Sequence, residues 1–269
     1  MPIHSRVLIT GAAGALGTQL RQSGQVLAER VTLSDRVACR DLASHEEDRP
    51  ADLADMAAVQ RAVAGADAIV HLGGQAIEGS WQNVLDGNIK GGYNIYEAAR
   101  QAGVKRVIYA SSIHAIGYYE RNQTIDAGVP TRPDSLYGVS KTFVENLSRY
   151  YFDKFGIESV CVRIGSCFPK PLDRRHLITW ISYRDLRQFI EKALLADRVG
   201  HMIAMPTSNN AASNWNDIAA SSLGYKPQDS ADAYAAEVLA NTAQGDPNDP
   251  AVRFQGGIFC KNGHFDDTH

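Results

Sequence analysis

The sequence predicts an α/β fold built on a doubly wound parallel sheet, with a small second lobe at the C-terminal end. Two observations predict it. Short, nearly continuous apolar runs rich in β-branched residues alternate with longer stretches of helical period, the pattern of strands buried on both faces and covered by helices. The first run also leads straight into three glycines at three-residue spacing, Gly11, Gly14 and Gly17.

Taken in order, RVLIT (6–10) is short and β-branched, which suits a buried strand, and the helical stretch 14–28 follows out of the glycines. RVTLSD (30–35) repeats the strand pattern and precedes a helix at 55–64, after DLAD at 52–55, which resembles a helix N-cap. ADAIVHLG (66–73) and the helix 81–102 form the third pair; KRVIYASS (105–112) and 135–155 form the fourth, entered from the loop-forming AGVPTRPD. IESVCVRIG (157–165) is the fifth strand. Beyond Gly165 the alternation weakens. PKPLDRR is irregular, DLRQFIEKALLAD (185–197) helical, GHMIAMP (200–206) a strand, and helical patches lie near 215–222 and 229–241. No linker or repeat intervenes, so residues 1–165 are read as the nucleotide-binding domain and 166–269 as a small dependent substrate lobe, ending in the Pro/Gly-rich GDPNDPAVRFQGGIFCKN.

At 269 residues, 44% hydrophobic, 21% charged and net charge −3, the composition is that of a globular protein. The absence of a basic block or basic–aromatic stripe argues against nucleic acid and anionic membrane as partners. RVLIT begins after five residues and no apolar run reaches bilayer length, so a cytoplasmic location is expected. The cysteines Cys39, Cys161, Cys167 and Cys260 form no C-x-x-C pair and no zinc-type spacing, so reduced thiols and no structural metal are expected.

A strand running into G-x-x-G-x-x-G and then a helix lets backbone N–H groups approach a pyrophosphate at the helix N-terminus, the device of a Rossmann-type dinucleotide site. Ala15 and Leu16, inside the motif, share that site. The second strand ends at Asp35, where a carboxylate accepts from an adenosine ribose and repels a 2′-phosphate; this favours NAD over NADP, although Arg36 beside it would partly offset the preference. Asp52 is expected at the adenine amino group with Leu53 over the ring, and Leu72, Gly73 and Gly74 beside the dinucleotide at the carboxyl edge of the third strand. A helix cap at Asp52 and a plain turn at the glycines are the structural alternatives.

The fourth strand ends at Ser112, and Tyr137 and Lys141 follow at i and i+4 of a helix, hence on one face. Oxidising an alcohol by hydride transfer requires a base for its proton, and a phenol of pKa about 10 becomes one only beside positive charge. Lys141 supplies that charge and Ser112 would hold the substrate oxygen. Asn88 could fix the lysine through a water or, equally, serve as a helix cap or turn.

The glycine loop, Asp35, Asn88, Ser112, Tyr137 and Lys141 together resemble the extended short-chain dehydrogenases/reductases. HLGG, SSIHAIGYY, RPDSLYGVSKTFVENL, YYFDKFGIESVCVRIGSC, TWIS and DPNDPAVRFQGGIF further resemble the bacterial uronate dehydrogenase family over nearly the whole chain. That resemblance implies oxidation of the C1 hydroxyl of cyclic D-glucuronate or D-galacturonate with NAD to an aldaro-lactone. It also implies a carboxylate clamp at Arg175, with Arg174 beside it as the competing guanidinium, and substrate contacts from Ser112, Ile113, His114 and Ser166, His114 acting as a donor. The Cys167 backbone would approach the nicotinamide amide. Where family members carry a serine after HLGG, this chain reads Gln75-Ala76, which leaves the choice between the two uronates open. A nucleotide-sugar epimerase or dehydratase, and a catalytically idle NAD-sensing protein, are the rival readings. The helices 81–102 and 135–155 could form the interface of a homo-oligomer.

Overall fold

The computed structural model describes residues 4–22 and 27–267. The first half runs β1 (His4–Thr10), α1 (Ala15–Gln22), β2 (Ala28–Ser34), β3 (Glu46–Asp48), α2 (Met56–Val63), β4 (Ala68–His71), α3 (Trp81–Val84), a π-helical turn (Leu85–Lys90) and α4 (Gly91–Ala102). Then come β5 (Arg106–Ser112), β6 (Ile125–Asp126), α5 (Leu136–Phe155), β7 (Glu158–Ile164), α6 (His176–Thr179), α7 (Tyr183–Leu195), β8 (His201–Ala204), β9 (Trp215–Asn216), α8 (Ile218–Ser222), α9 (Ala235–Asn241) and α10 (Pro250–Arg253).

Seven strands form one parallel sheet in the order β3-β2-β1-β4-β5-β7-β8. Successive side chains divide between its faces, as strand geometry requires. Val7 and Ile9 enter the apolar layer that holds Leu186, Phe189 and Ile190 of α7, whereas Leu8 enters the layer of Val59, Ile95, Tyr96 and Val144 from α2, α4 and α5. The chain leaves β1 on one side for β2 and β3 and on the other for β4. The carboxyl ends of β1 and β4, where Thr10 pairs with His71, therefore flank the topological switch point at which open α/β sheets bind ligands. The seventh strand, β8, comes from beyond Gly165, and β6 and β9 pair in a small second sheet through Ile125 and Trp215.

Several elements depart from expectation. The helix expected over 14–28 closes at Gln22 and β2 is under way by Ala28; residues 23–26 lie outside the described residues. Within 215–222, Trp215 and Asn216 are strand, and the helix starts at Ile218 because the Asp217 carboxylate accepts from the Ala220 N–H. β3 carried no apolar signal: its sequence is Glu-Glu-Asp, held at the sheet edge by Arg21 on Glu46 at 3.0 Å and by Arg49 on Glu47 at 2.8 Å. Among the described residues no helix is long and apolar enough to cross a membrane, and all four cysteines are free.

Candidate active site

The loop after β1 is shaped by contacts that admit no side chain. Gly11 takes a left-handed backbone (φ 68°), and a Cβ on it would meet the Gly73 nitrogen at 2.7 Å, so the loops after β1 and β4 touch here. A Cβ on Gly17 would overlap the Gly11 carbonyl and stand 2.6 Å from the Ala12 Cα; glycine lets α1 rest directly on the loop. Gly14 donates to the Gly11 carbonyl at 3.0 Å and Ala15 opens α1, with Leu16 packed against the core below. This cradle fits a pyrophosphate. Asp35 follows β2 and is tied to the loop, Oδ2 accepting from the Ala13 N–H at 3.2 Å and Oδ1 from Arg36 at 2.7 Å.

Asp52, expected at the adenine, is not the helix cap. Its carboxylate accepts from the Ala54 N–H at 2.9 Å in the turn ahead of α2, and Asp55 caps the helix through Ala57 and Ala58. Leu53 lies over Gly73, where a Cβ would meet its Cδ1 at 2.9 Å, and its carbonyl accepts from Asn94 at 2.7 Å. Leu72 packs against the core from the end of β4, and a Cβ on Gly74 would overlap the Asn88 amide oxygen.

The end of β5, the first turns of α5 and the π-helical turn carry the residues that the sequence marks as candidate catalytic groups. Ser112 ends β5, its Oγ accepting from the His114 N–H at 3.2 Å. Ser135 caps α5 through Gly138, and Glu78 takes the Tyr137 N–H at 2.9 Å, which seats the phenol in the first turn. Lys141 lies one turn on, its Nζ 5.2 Å from the Tyr137 ring centroid and donating to the Ala110 carbonyl at 2.8 Å. Burial pushes the Tyr137 phenol up to about 12, while a hydrogen bond from Ser112 acts in the opposite direction. Burial likewise lowers Lys141 to about 8, with Glu145 opposing. The lysine therefore keeps its proton at neutral pH. Asn88 is neither cap nor surface turn. The π-helical turn carries it into the interior, where it accepts from the Gln75 N–H at 2.7 Å and donates to Ser140 at 2.8 Å, so it reaches the lysine's helix through Ser140.

The two neighbouring arginines part company. Arg174 turns toward α9 and donates to the Leu239 and Thr242 carbonyls, each at 3.1 Å. Arg175 turns toward the tail, donating to the Gln255 carbonyl at 3.4 Å; burial draws its pKa down against the opposing charges of Asp173 and Asp134. Ser166 is buried, its hydroxyl engaged with Thr179 at 2.8 Å. Ile113 is wholly buried, its side chain packed with Ile116 and Met205. Gln75 folds back on its own loop, near enough to Gly79 that a Cβ there would meet its Nε2 at 2.8 Å, and Ala76 is exposed. Burial raises the Cys167 thiol, which keeps it protonated.

Sequence reasoning named the tail as a family stretch but gave it no role. Residues 254–260 cross the site, and Phe259 stacks on the His114 ring at 4.0 Å and stands edge-on to Tyr137 at 6.4 Å. It also missed Glu78 and Asp134. Asp134 stands directly before the Ser135 cap, and a buried acid in that place reads as turn chemistry until Gly117 and Gly256 are seen packed on its carboxylate.

Comparison with known proteins places this geometry. The NAD dependent epimerase/dehydratase family matches residues 7–197. The uronate dehydrogenase of Pseudomonas syringae pv. tomato is 46% identical over 98% of this chain and 96% of its own. A glucuronic acid dehydrogenase structure from Chromohalobacter salexigens superposes with TM-score 0.95 at 45% identity, covering 98% of this chain and 100% of that one. A mutant uronate dehydrogenase of Agrobacterium tumefaciens, solved with NAD, gives TM-score 0.92 at 46% identity over 96% of this chain and 98% of its own. The chain belongs to the NAD-dependent epimerase/dehydratase family and, within it, to the uronate dehydrogenases.

Proposed function

We propose that the protein oxidises the C1 hydroxyl of cyclic D-glucuronate and D-galacturonate with NAD, giving the 1,5-lactone of the aldarate, NADH and a proton. The observation that carries the reading is the convergence of Ser112, Tyr137 and Lys141 at the carboxyl edge of the sheet, with the Arg175 guanidinium on Gln255 of the same tail whose Phe259 covers His114.

NAD, when bound, supplies the hydride acceptor and a positive ring beside the phenol. Gly11, Gly14, Ala15, Leu16 and Gly17 would hold its pyrophosphate, Asp35 its ribose, Asp52 and Leu53 its adenine, and Leu72, Gly73, Gly74 and the Cys167 backbone would line its path. Arg175 would take the substrate carboxylate, and Ser112, His114, Ser166 and the 75–76 and 113 backbone would frame the sugar. Tyr137 receives the proton of the C1 hydroxyl, its phenolate favoured by the Lys141 charge against the cost of burial, while Ser112 donates to the C1 oxygen as negative charge develops there. Asn88 holds the α5 backbone through Ser140. Residues 1–165 would form the NAD-binding domain and carry Ser112, Tyr137 and Lys141, and 166–269 would form the smaller substrate lobe, from which β8 adds the seventh strand of the sheet and α7 packs on one face.

Replacing Tyr137 by Phe removes the base and leaves the ring. Uronate-dependent NADH formation should fall by about a thousandfold with NAD affinity unchanged. Residual turnover within tenfold of the unmodified enzyme would remove Tyr137 from the role. We further propose a cytoplasmic protein that forms a homo-oligomer; the association is supported by Trp81, Tyr93, Val139, Phe143 and Tyr150, large apolar side chains exposed along 81–102 and 135–155.

A further inference from the structure

The buried Asp134 is not used by the chemistry above. Its side chain has no exposure, and Gly117 and Gly256 pack so closely on it that a Cβ on either would overlap Oδ2. Its neighbours are donors: Ser135 Oγ donates to Oδ1 at 2.8 Å, His114 Nδ1 stands 2.8 Å from Oδ2, and Cys260 Sγ approaches Oδ2 at 3.8 Å. A carboxylate among donors accepts, so the shared hydrogen sits on His114 Nδ1. The imidazole is then fixed in place, stacked on Phe259 at 4.0 Å and edge-on to Tyr137 at 5.7 Å. Its Nε2 has no protein partner among the described residues.

We propose that Asp134 is a positioning residue for this reaction: by taking up the Nδ1–H of His114 it presents the Nε2 lone pair to the substrate, so that His114 accepts from a sugar hydroxyl and leaves the carboxylate to Arg175. This rests on the hexuronate reading above. An imidazole lone pair cannot receive a hydrogen bond from an ionised carboxylate, whereas every ring hydroxyl of a hexuronate can donate to it. His114 thus discriminates between the two ends of the sugar, rejecting the acid group on its own side and helping to set which carbon lies beside Tyr137.

The charge of Asp134 alone would act with the opposite sign. It faces Arg175 and Tyr137 through space, opposing phenolate and partly offsetting the guanidinium. Deleting the charge with no effect on His114 would therefore tighten uronate binding.

The test has two parts. In the 15N-labelled full-length enzyme with NAD, long-range proton–nitrogen correlations of His114, assigned with H114Q, should show a proton on Nδ1 and a lone pair on Nε2. In kinetics with D-glucuronate and D-galacturonate, D134A should raise KM about tenfold or more, whereas D134N, which loses the same charge but keeps one acceptor for Nδ1–H, should stay within about threefold. NAD affinity should be unchanged in both. A proton on Nε2, equal KM values for D134A and D134N, or a lower KM in D134A would overturn the proposal. If D134A fails to fold, the spectrum of the unmodified enzyme decides by itself. Silence of the unmodified enzyme with both uronates would instead overturn the substrate reading and the use given to Nε2, while the spectrum still decides the Asp134–His114 proton.

Discussion

Glu145→Gln breaks a buried ion pair one helical turn from Lys141. Glu145 lies on α5 one turn beyond Lys141 and receives Arg163 through two bonds at 2.9 and 2.8 Å, and Ser111 at 2.6 Å. Both members of the pair are buried, with side chains 3% and 1% exposed. Gln keeps the oxygen that accepts from Ser111 and Arg163 Nε but turns an amide NH2 toward Arg163 Nη2 and removes the counter-charge, leaving the buried guanidinium with only neutral acceptors there, the Ala127 carbonyl at 3.3 Å among them. Breaking a buried pair in this way costs about 3–5 kcal/mol out of a total stability of about 5–15 kcal/mol. At a urea slope of about 3 kcal/mol per M, the unfolding midpoint should fall by about 1–1.7 M. Adding Arg163→Met should restore most of that loss, since an apolar replacement of a buried pair is often neutral. A second effect separates site from scaffold. Glu145 opposes the lowering of Lys141, which titrates at about 8; the ammonium is present below that pH and lost above it. Without Glu145 the alkaline limb of activity should move to lower pH, in the double variant as much as in the single one. An unchanged urea midpoint for Glu145→Gln, or an alkaline limb that returns with stability in the double variant, would refute the reasoning.

Two further predictions follow from the loops and the sheet. Gly17→Ala puts a methyl against the Gly11 carbonyl and 2.6 Å from the Ala12 Cα, so it should cost about 1–3 kcal/mol of stability and weaken NADH binding about tenfold or more by fluorescence titration; Gly14→Ala, whose Cβ meets only the Gly11 carbonyl at 3.2 Å, should be far milder. His71, at the end of β4, is wholly buried and held down to about 3 against an ordinary 6.5, mainly by burial and secondarily by Lys141. The unfolded chain binds that proton first, so His71 supports stability fully above about pH 6.5 and loses its contribution as pH falls toward 3. Urea midpoints at pH 7 and pH 5 should differ less in His71→Asn than in the unmodified protein.

Most of the scaffold was legible because it is local: a β-branched run reads as a buried strand whatever it packs against, and Gly11, Gly14 and Gly17 announce a loop that no side chain could enter. Tyr137 and Lys141 were legible for the same reason, their spacing being a property of one helix. What escaped depends on distant chain. β3 is a strand because Arg21 and Arg49 meet its acidic residues, and Asn88 is buried because the helix carrying it makes one π turn. Arg174 and Arg175 are indistinguishable as neighbours; the α9 carbonyls that claim the first and the Gln255 carbonyl that meets the second lie more than sixty residues away. Asp134, Glu78 and Phe259 belong to the same class, each defined by a partner from another loop.

The most direct test of the central claim is absorbance at the NADH band when the protein is mixed with NAD and D-glucuronate, D-galacturonate or glucose, for the unmodified chain and for Arg175→Ala. NADH should form with both uronates and not with glucose, and Arg175→Ala should raise KM for the uronates by about tenfold to a hundredfold, the range expected for a lost hydrogen bond between charged groups. No NADH from either uronate, or an equal rate with glucose, would contradict it.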